Sequence, residues 1–160
     1  MSKLTGTKHG DASNELMAFY LDKVAALEKA GEYFMAAISL AFAVETAILT
    51  YLLVEFGEDN GGELEIPGSV NMSELIKAAS EIDVLNAPID IPSHAHDDSE
   101  DARPKYITSE AADKIRRFRN LIHPARALIE DYDPRTFTRE ELDELKEMYG
   151  SITHSLLYYL

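Results

Sequence analysis

The sequence predicts an all-α fold, a four- to five-helix bundle around one long apolar central helix. Residues 33–54 form an unbroken apolar run in which Glu45 is the single charge, as expected of a helix surrounded by others. Apolar side chains on either side of this run recur at helical spacing. No β-hairpin signal, internal repeat or Gly-rich phosphate loop appears, so we expect no cofactor site.

Composition and charge limit the architecture and the partners. The chain has 160 residues, 46% of them apolar, so we expect one domain that buries about two-thirds of its unfolded surface. It contains no cysteine, which excludes disulfides, thiolate zinc sites and cysteine nucleophiles. The net charge is −14, so nucleic acid would bind only at a local patch. The N-terminal residues lack the apolar core of a signal peptide, and we expect a cytoplasmic protein that does not bind membranes.

The N-terminal part is predicted to contain a tail and one amphipathic helix. Residues 1–12 are polar and are predicted to be a flexible tail, with a single domain following over residues 13–160. Apolar residues recur at helical spacing between residues 13 and 29, and Gly31 then marks the end of the helix. These apolar positions are Leu16, Phe19, Leu21, Val24 and Leu27.

The central helix is predicted to continue to about Phe56. Its apolar run approaches the length needed to span a bilayer. However, Glu45 lies in its middle, Ser39, Thr46 and Thr50 add polarity, and neither flank is basic. The pattern therefore favours a buried helix of a soluble bundle over a membrane span.

Two acidic loops are predicted on either side of a third helix. Residues 57–69 combine glycine with acidic residues and are predicted to be a loop. Asn71, with Glu74 three residues later, has the spacing of a capping box that opens a short helix. Residues 86–105 hold three prolines and a dense acidic run, which predicts a mobile excursion.

The last two predicted helices are separated near Pro134. The first of them begins close to Thr108 and carries the basic segment described below. Thr138, with Glu141 three residues later, matches a capping box that opens the final helix, which is predicted to extend to about Leu160.

The segment 114–126 concentrates positive charge in an acidic protein. It contains five of the 15 Lys and Arg residues and no Asp or Glu. Such a segment predicts a local anion site, which cuts a substrate, holds one, or only pairs with acidic neighbours. The basic residues are Lys114, Arg116, Arg117, Arg119 and Arg126.

A helical wheel at about 100° per residue separates two faces of this segment. Arg116, Arg119 and His123 fall within about 60° of one another, with Asn120 beside them. Guanidinium groups hold phosphates bidentately, and an imidazole exchanges protons near neutral pH. These four side chains are therefore the candidate site for a phosphate group. A different, core-facing stripe is predicted to contain Ile115, Phe118, Ile122, Ala125 and Ile129.

Pro124 is predicted to interrupt the helix next to His123. It lacks the N–H that would bond the carbonyl of Asn120, and it disfavours helical geometry at the preceding residue. A kink or break near His123 is therefore expected. Two interpretations stay open: the bend directs the imidazole outward, or it is a simple corner that joins two helices.

The string RNLIHP at residues 119–124 resembles the signature of the HEPN superfamily, small all-helical domains often tied to prokaryotic defence and RNA metabolism. The long apolar helix with an internal acid resembles the family more weakly. The resemblance implies a metal-independent endoribonuclease that binds RNA or a nucleotide, and a homodimer in which two motifs form one cleft. In that family the arginine stabilises the phosphate and the histidine assists proton transfer.

The arginine that would act with His123 is left open by the spacing. The family pattern separates the two residues further than Arg119 and His123, which have three residues between them. Arg117 and Arg116 have a suitable spacing, but Arg117 is followed by an aromatic residue and points about 120° away on the wheel. Asn120 supplies the polar residue that usually follows the arginine.

Other acidic and histidine residues offer further hypotheses. Glu45, the single charge of the central helix, needs a partner if it is buried, and an arginine of segment 114–126 is the natural one. His94 and His96 precede a run of carboxylates and could ligate a divalent ion, but loop composition explains them better, so we expect no metal site.

Two other classes of function compete with the nuclease. The alternative is a non-catalytic dimerisation or protein-interaction module with a degenerate motif, in which Arg119 and Asn120 connect helices and Pro124 merely turns the chain. An antitoxin-type partner of another protein is a third interpretation.

Overall fold

The computed structural model describes residues 2–89 and 106–158, and the fold is predominantly helical, as predicted. A π-helical segment continues α2 directly into α3, and a 3-10 turn precedes α7. The helices are α1 (Gly6–Lys29), α2 (Tyr33–Thr50), the π-helical segment (Tyr51–Phe56), α3 (Gly57–Asp59), α4 (Met72–Glu81), α5 (Thr108–Asn120), α6 (Pro124–Ile129), the 3-10 turn (Pro134–Thr136) and α7 (Arg139–Tyr158).

The helix α2 is the shared packing partner of the fold. It packs against α1, α4, α5 and α7, and side chains such as Leu40, Val44 and Ile48 are fully buried. The continuous helix Tyr33–Asp59 is long and apolar enough to cross a membrane, but 67% of its most apolar window is buried inside the fold. Its apolar sequence is therefore accounted for by neighbours on most sides, which supports the buried-helix interpretation.

The N-terminal residues form regular structure, so the predicted tail over residues 1–12 is wrong from Lys3 onward. The strand β1 (Lys3–Thr5) pairs antiparallel with β2 (Glu65–Pro67), with Leu4 opposite Ile66. The helix α1 then begins at Gly6, before the predicted start near residue 13. Two-stranded ladders of this kind were not expected from the sequence.

The start of α1 has no helical signal in the sequence, because it is determined by close packing at glycine and by a hydrogen bond from outside the helix. A Cβ added at Gly6 would overlap the backbone carbonyl of Leu53, so glycine is needed there for α1 to approach the π-helical segment this closely. The first turn is also capped from outside, because the Thr7 N–H donates to Glu63 Oε1 at 2.8 Å. Hydrogen bonds from Thr7 are the largest cause that lowers the pKa of Glu63 below its usual value. Neither contact produces an apolar periodicity.

The two predicted loops are more regular at their edges than expected. The loop predicted over residues 57–69 begins with α3 and includes β2. The excursion predicted over residues 86–105 starts and ends in an antiparallel ladder of β3 (Pro88–Ile89) and β4 (Tyr106–Ile107). Residues 90–105, with His94 and His96, lie outside the described residues.

Both predicted capping boxes are confirmed. The Glu74 N–H donates to Asn71 Oδ1 at 3.1 Å, and the Asn71 N–H donates to Glu74 Oε2 at 2.8 Å. At the start of α7, the Glu141 N–H donates to Thr138 Oγ1 at 3.2 Å, and the Thr138 N–H donates to Glu141 Oε2 at 2.7 Å. The helix α5 begins at Thr108, also as predicted.

Candidate functional site at the corner of α5 and α6

The predicted break at Pro124 is present and has a simple hydrogen-bond explanation. The helix α5 ends at Asn120, and Pro124 is the first residue of α6. The N–H of His123 donates to the Asn120 carbonyl at 3.1 Å, which replaces the bond that Pro124 cannot make. His123 is extended, with φ −79° and ψ 118°, and its carbonyl accepts the Ala127 N–H at 3.1 Å. His123 is therefore the residue that caps α6.

The predicted core stripe is confirmed in α5 but is wrong after Asn120, where the helix breaks. Ile115 is fully buried and Phe118 packs against the core. Because the helix stops at Asn120, the helical phase is not carried into α6, and Leu121 and Ala127 occupy buried positions instead. The predicted core residues that lie on the surface are Ile122, Ala125 and Ile129.

Three of the four candidate site residues share one face of α5. Arg116 is three residues before Arg119 and four before Asn120, so the three side chains leave the same side of the helix. His123 lies beyond the helix end, and its place on the helical wheel does not apply. It is exposed and is joined to Asn120 by the backbone bond of the corner.

Arg119 is held between two residues of α2. Its Nη1 forms an ion pair with Glu45 Oε2, and its Cζ lies 5.6 Å from the centre of the Phe42 ring. The exposed fractions of the Arg119 and Glu45 side chains are 21% and 23%. The prediction that an arginine of the basic segment pairs with Glu45 is confirmed. The pair connects α5 to the shared helix and compensates the charge of the guanidinium.

A row of aromatic side chains that was not predicted from the sequence extends from α1 to Arg119. The Phe42 ring stacks on Tyr20 with centres 5.2 Å apart, and Tyr20 meets Phe19 edge to face at 5.5 Å. Phe19 is 51% exposed at the outer end of the row. The position of Phe42, three residues before Glu45 on α2, is a spacing that could have placed its ring beside the same arginine.

Every basic residue of segment 114–126 has a carboxylate partner. Arg116 Nε lies 2.7 Å from Asp113 Oδ1, and Arg117 Nε lies 2.7 Å from Asp113 Oδ2. Asp113 was not among the predicted site residues, although spacings of three and four residues indicate such pairs on a helix. The remaining pairs are Lys114 with Glu144 at 2.8 Å, Arg126 with Glu130 at 2.5 Å, and Arg119 with Glu45.

The Asn120 amide and the His123 imidazole differ from these basic residues, because neither has a carboxylate partner in the described part of the chain. Within residues 2–89 and 106–158, neither side chain has a hydrogen bond or ion pair. Arg116 meets Asp113 through Nε, and among residues 2–89 and 106–158 its terminal nitrogens form no hydrogen bond. The corner therefore offers amide, imidazole and guanidinium donors to a ligand, beside charges that are already compensated.

The described residues hold no group of three or more His, Asp or Glu side chains placed to bind a metal ion.

Comparison with protein-family models, with curated proteins and with solved structures finds no match to this chain. The HEPN resemblance accordingly depends on the RNLIHP string at residues 119–124.

Proposed function

We propose that this chain is a HEPN-like domain, a four- to five-helix bundle around α2 that dimerises and cleaves RNA without a metal ion. The unengaged Asn120 and His123 side chains at the corner, next to Arg116 and Arg119, are the observation that supports it. An imidazole that transfers protons and donors that stabilise a phosphate are what this reaction needs from a protein. On this proposal the protein acts in the cytoplasm, in a prokaryotic defence or toxin–antitoxin system.

The proposed reaction is an attack within the RNA chain. The ribose 2′-oxygen forms a bond to the neighbouring phosphorus, and the bond from phosphorus to the 5′-oxygen breaks. His123 either accepts the proton of the 2′-hydroxyl or gives a proton to the departing 5′-oxygen, while Arg116 or Arg119 holds the phosphate. These two proton transfers need opposite protonation states, so two corners, one from each chain, would supply both.

The apolar surface of α6 supports association next to this site. Leu128 and Ile129 are 80% and 77% exposed, and Ile122 beside His123 is exposed as well. Exposed apolar side chains in a group commonly mark protein interaction surfaces. If two chains meet through α6, their His123 residues approach one another, as the proposed cleft requires.

Cleavage assays with matched histidine variants test the nuclease proposal. Purified protein is incubated with assorted RNAs in the presence of EDTA, and products are examined for a 2′,3′-cyclic phosphate. We expect His123→Ala to lower the cleavage rate by about 10²-fold or more, while His154→Ala, an exposed histidine on α7, leaves it unchanged. Intact RNA with the wild-type protein, or equal rates for both variants, would contradict the proposal.

Sedimentation measurements test the dimer separately. The double variant Leu128→Asp and Ile129→Asp should sediment as a monomer and lose cleavage, because charge would replace the apolar surface. Leu157→Asp, at an exposed leucine of α7, is the control and should retain the dimer. A wild-type monomer that nevertheless cleaves RNA would show that the paired cleft is not needed.

The pairing of all five basic residues favours a second candidate, a non-catalytic protein-interaction module. In it Arg119 connects α5 to α2, and α6 is the surface that binds a second copy or another protein. Glu45→Gln separates the two candidates. If Arg119 binds RNA, removal of the Glu45 charge should maintain or strengthen RNA binding, whereas a purely structural pair should show only a loss of stability.

A further inference from the structure

A cavity that is partly open to solvent lies between α1 and α7, away from the α5–α6 corner. Both helices pack against α2, and near one end Lys146 of α7 donates a hydrogen bond to Glu28 of α1 at 2.9 Å. Toward the N-terminal end of α1 they leave a cavity of about 510 Å³. Small-molecule sites in proteins have volumes of roughly 300–1,000 Å³. The cavity is therefore large enough for a small ligand.

The π-helical segment forms one wall of the cavity. It contributes Tyr51, Val54 and Glu55 to the lining, and π-helical turns occur frequently at functional sites. Gly6 packs against the backbone of Leu53, and Gly10 packs against the side chain of Val54, so α1 lies close to this segment. The wall is thus built into the fold.

The interior of the cavity is largely apolar. Met17, Ala47 and Leu156 lie along it, and the hydroxyl groups of Thr50 and Thr153 are already used. Each hydroxyl donates to the backbone carbonyl one turn earlier in its own helix, at 2.8 Å for Thr50 and 3.0 Å for Thr153. The interior is thus suited to a short hydrocarbon chain.

Two carboxylates add a charge to the cavity lining. Asp11 of α1 is exposed and Glu55 of the π-helical segment is half-buried. In the part of the chain that the structure describes, neither has an ion pair or hydrogen bond, unlike Glu45 and Asp113, which meet arginines. Two unpaired carboxylates attract a cation and repel an anion of the same shape.

We propose that this cavity binds an amphipathic organic cation, a primary ammonium group on a short apolar chain. The chain lies against Met17, Ala47 and Leu156, and the ammonium group lies between Asp11 and Glu55. The cavity shares no lining residue with the α5–α6 corner, so this proposal does not rest on the proposed RNA cleavage.

Three probes of equal chain length test the proposal. The nitrogen-15-labelled protein is titrated with hexylammonium, hexan-1-ol and hexanoate, and dissociation constants are taken from NMR shifts. Hexylammonium should bind about tenfold more tightly than hexan-1-ol, as expected for two partly exposed ion pairs, and hexanoate most weakly. Methylammonium, which lacks the chain, should bind more weakly than hexylammonium.

Variants locate the binding. The double variant Asp11→Asn and Glu55→Gln should remove the preference for hexylammonium over hexan-1-ol and leave hexan-1-ol binding unchanged. Asp22→Asn removes an exposed carboxylate of α1 outside the lining and should have no effect. Thr153→Phe, which fills the cavity, should weaken both probes.

Specific outcomes would overturn the proposal. Equal binding of hexylammonium and hexan-1-ol, or equal binding of hexylammonium and methylammonium, would show that charge and chain do not act together. An Asp22→Asn effect as large as that of the double variant would indicate general attraction to an acidic surface. A folded Thr153→Phe protein that binds hexan-1-ol normally would place the ligand elsewhere.

Discussion

The helices α5 and α6 come from one continuous basic and apolar segment, yet they have opposite relations to the rest of the fold. In α5, Ile115 is fully buried and Arg119 forms an ion pair with a distant helix. In α6, Leu128 and Ile129 lie on the surface, and Arg126 pairs with Glu130, the residue that follows this helix. α5 buries several side chains and pairs with α2, whereas α6 buries only Ala127.

The difference shows that helical periodicity identifies buried residues only within an unbroken helix. The corner at residues 121–123 resets the phase, so the stripe that begins at Ile115 does not continue to Ile129. α5 contributes to folding, and the outer surface of α6 is left available for a partner.

The largest difference is expected between Ile115 and Ile129, which the helical spacing of the sequence assigned to one core-facing stripe. Ile115→Ala should lower the free energy of unfolding by about 2–5 kcal/mol, because it leaves a cavity in the core. Ile129→Ala should change it by less than about 0.5 kcal/mol, because the side chain is exposed. Urea denaturation of the two variants measures the difference, and equal losses would contradict the burial described for α5 and α6.

A smaller effect is expected for the two kinds of ion pair. Glu45→Gln should cost about 1–3 kcal/mol, since it leaves the partly buried Arg119 guanidinium without its carboxylate. Glu130→Gln, which affects the exposed pair with Arg126 at the end of α6, should cost less than about 0.5 kcal/mol. Thermal and urea unfolding measure both, and a Glu130 variant at least as unstable as the Glu45 variant would refute the distinction.

Pro124→Ala should have a modest effect at the boundary itself. Proline is favoured at the first position of a helix and restricts the unfolded chain, so its loss should cost about 0.5–1 kcal/mol. Circular dichroism reports whether α5 and α6 also merge into a longer helix. A variant that is more stable than the wild type and more helical would show that the proline opposes folding.

The smallest effect is expected at the start of α1. Because hydrogen bonds lower the pKa of Glu63, its contribution to stability is complete above the unfolded pKa and is lost as the pH falls through the folded one. Glu63→Gln should therefore slightly lower the melting temperature at neutral pH. The difference from the wild type should shrink as the pH falls below the usual range of a glutamate. A constant difference at all pH values would exclude this origin.

Elements with local chemical signals were predictable from the sequence. The apolar run around Glu45 identified the central helix, and the Asn71 and Thr138 boxes located two helix starts. The start of α1 was not predictable, because Gly6 and Gly10 are poor helix formers whose value depends on a distant contact with the π-helical segment. The short ladders likewise join residues far apart in sequence.

Two features of segment 114–126 were predictable from the sequence, but the surroundings of its side chains were not. Proline chemistry placed the break beside His123, and the need of Glu45 for a partner indicated an arginine. The partner of Lys114 could not be predicted, because Glu144 lies on α7 and the sequence does not specify how α5 and α7 pack together. The aromatic row that ends at Arg119 depends on the same unspecified packing.

The ladder of β3 and β4 has a consequence for how this protein can vary. Its register places Pro88 opposite Ile107, so the ends of the intervening segment are neighbours at roughly 5 Å. Chain length between joined ends changes loop-closure free energy only slowly, by about 0.6 kcal/mol per doubling. Relatives could therefore gain or lose residues there, or carry a graft of foreign sequence, while the helices keep their arrangement.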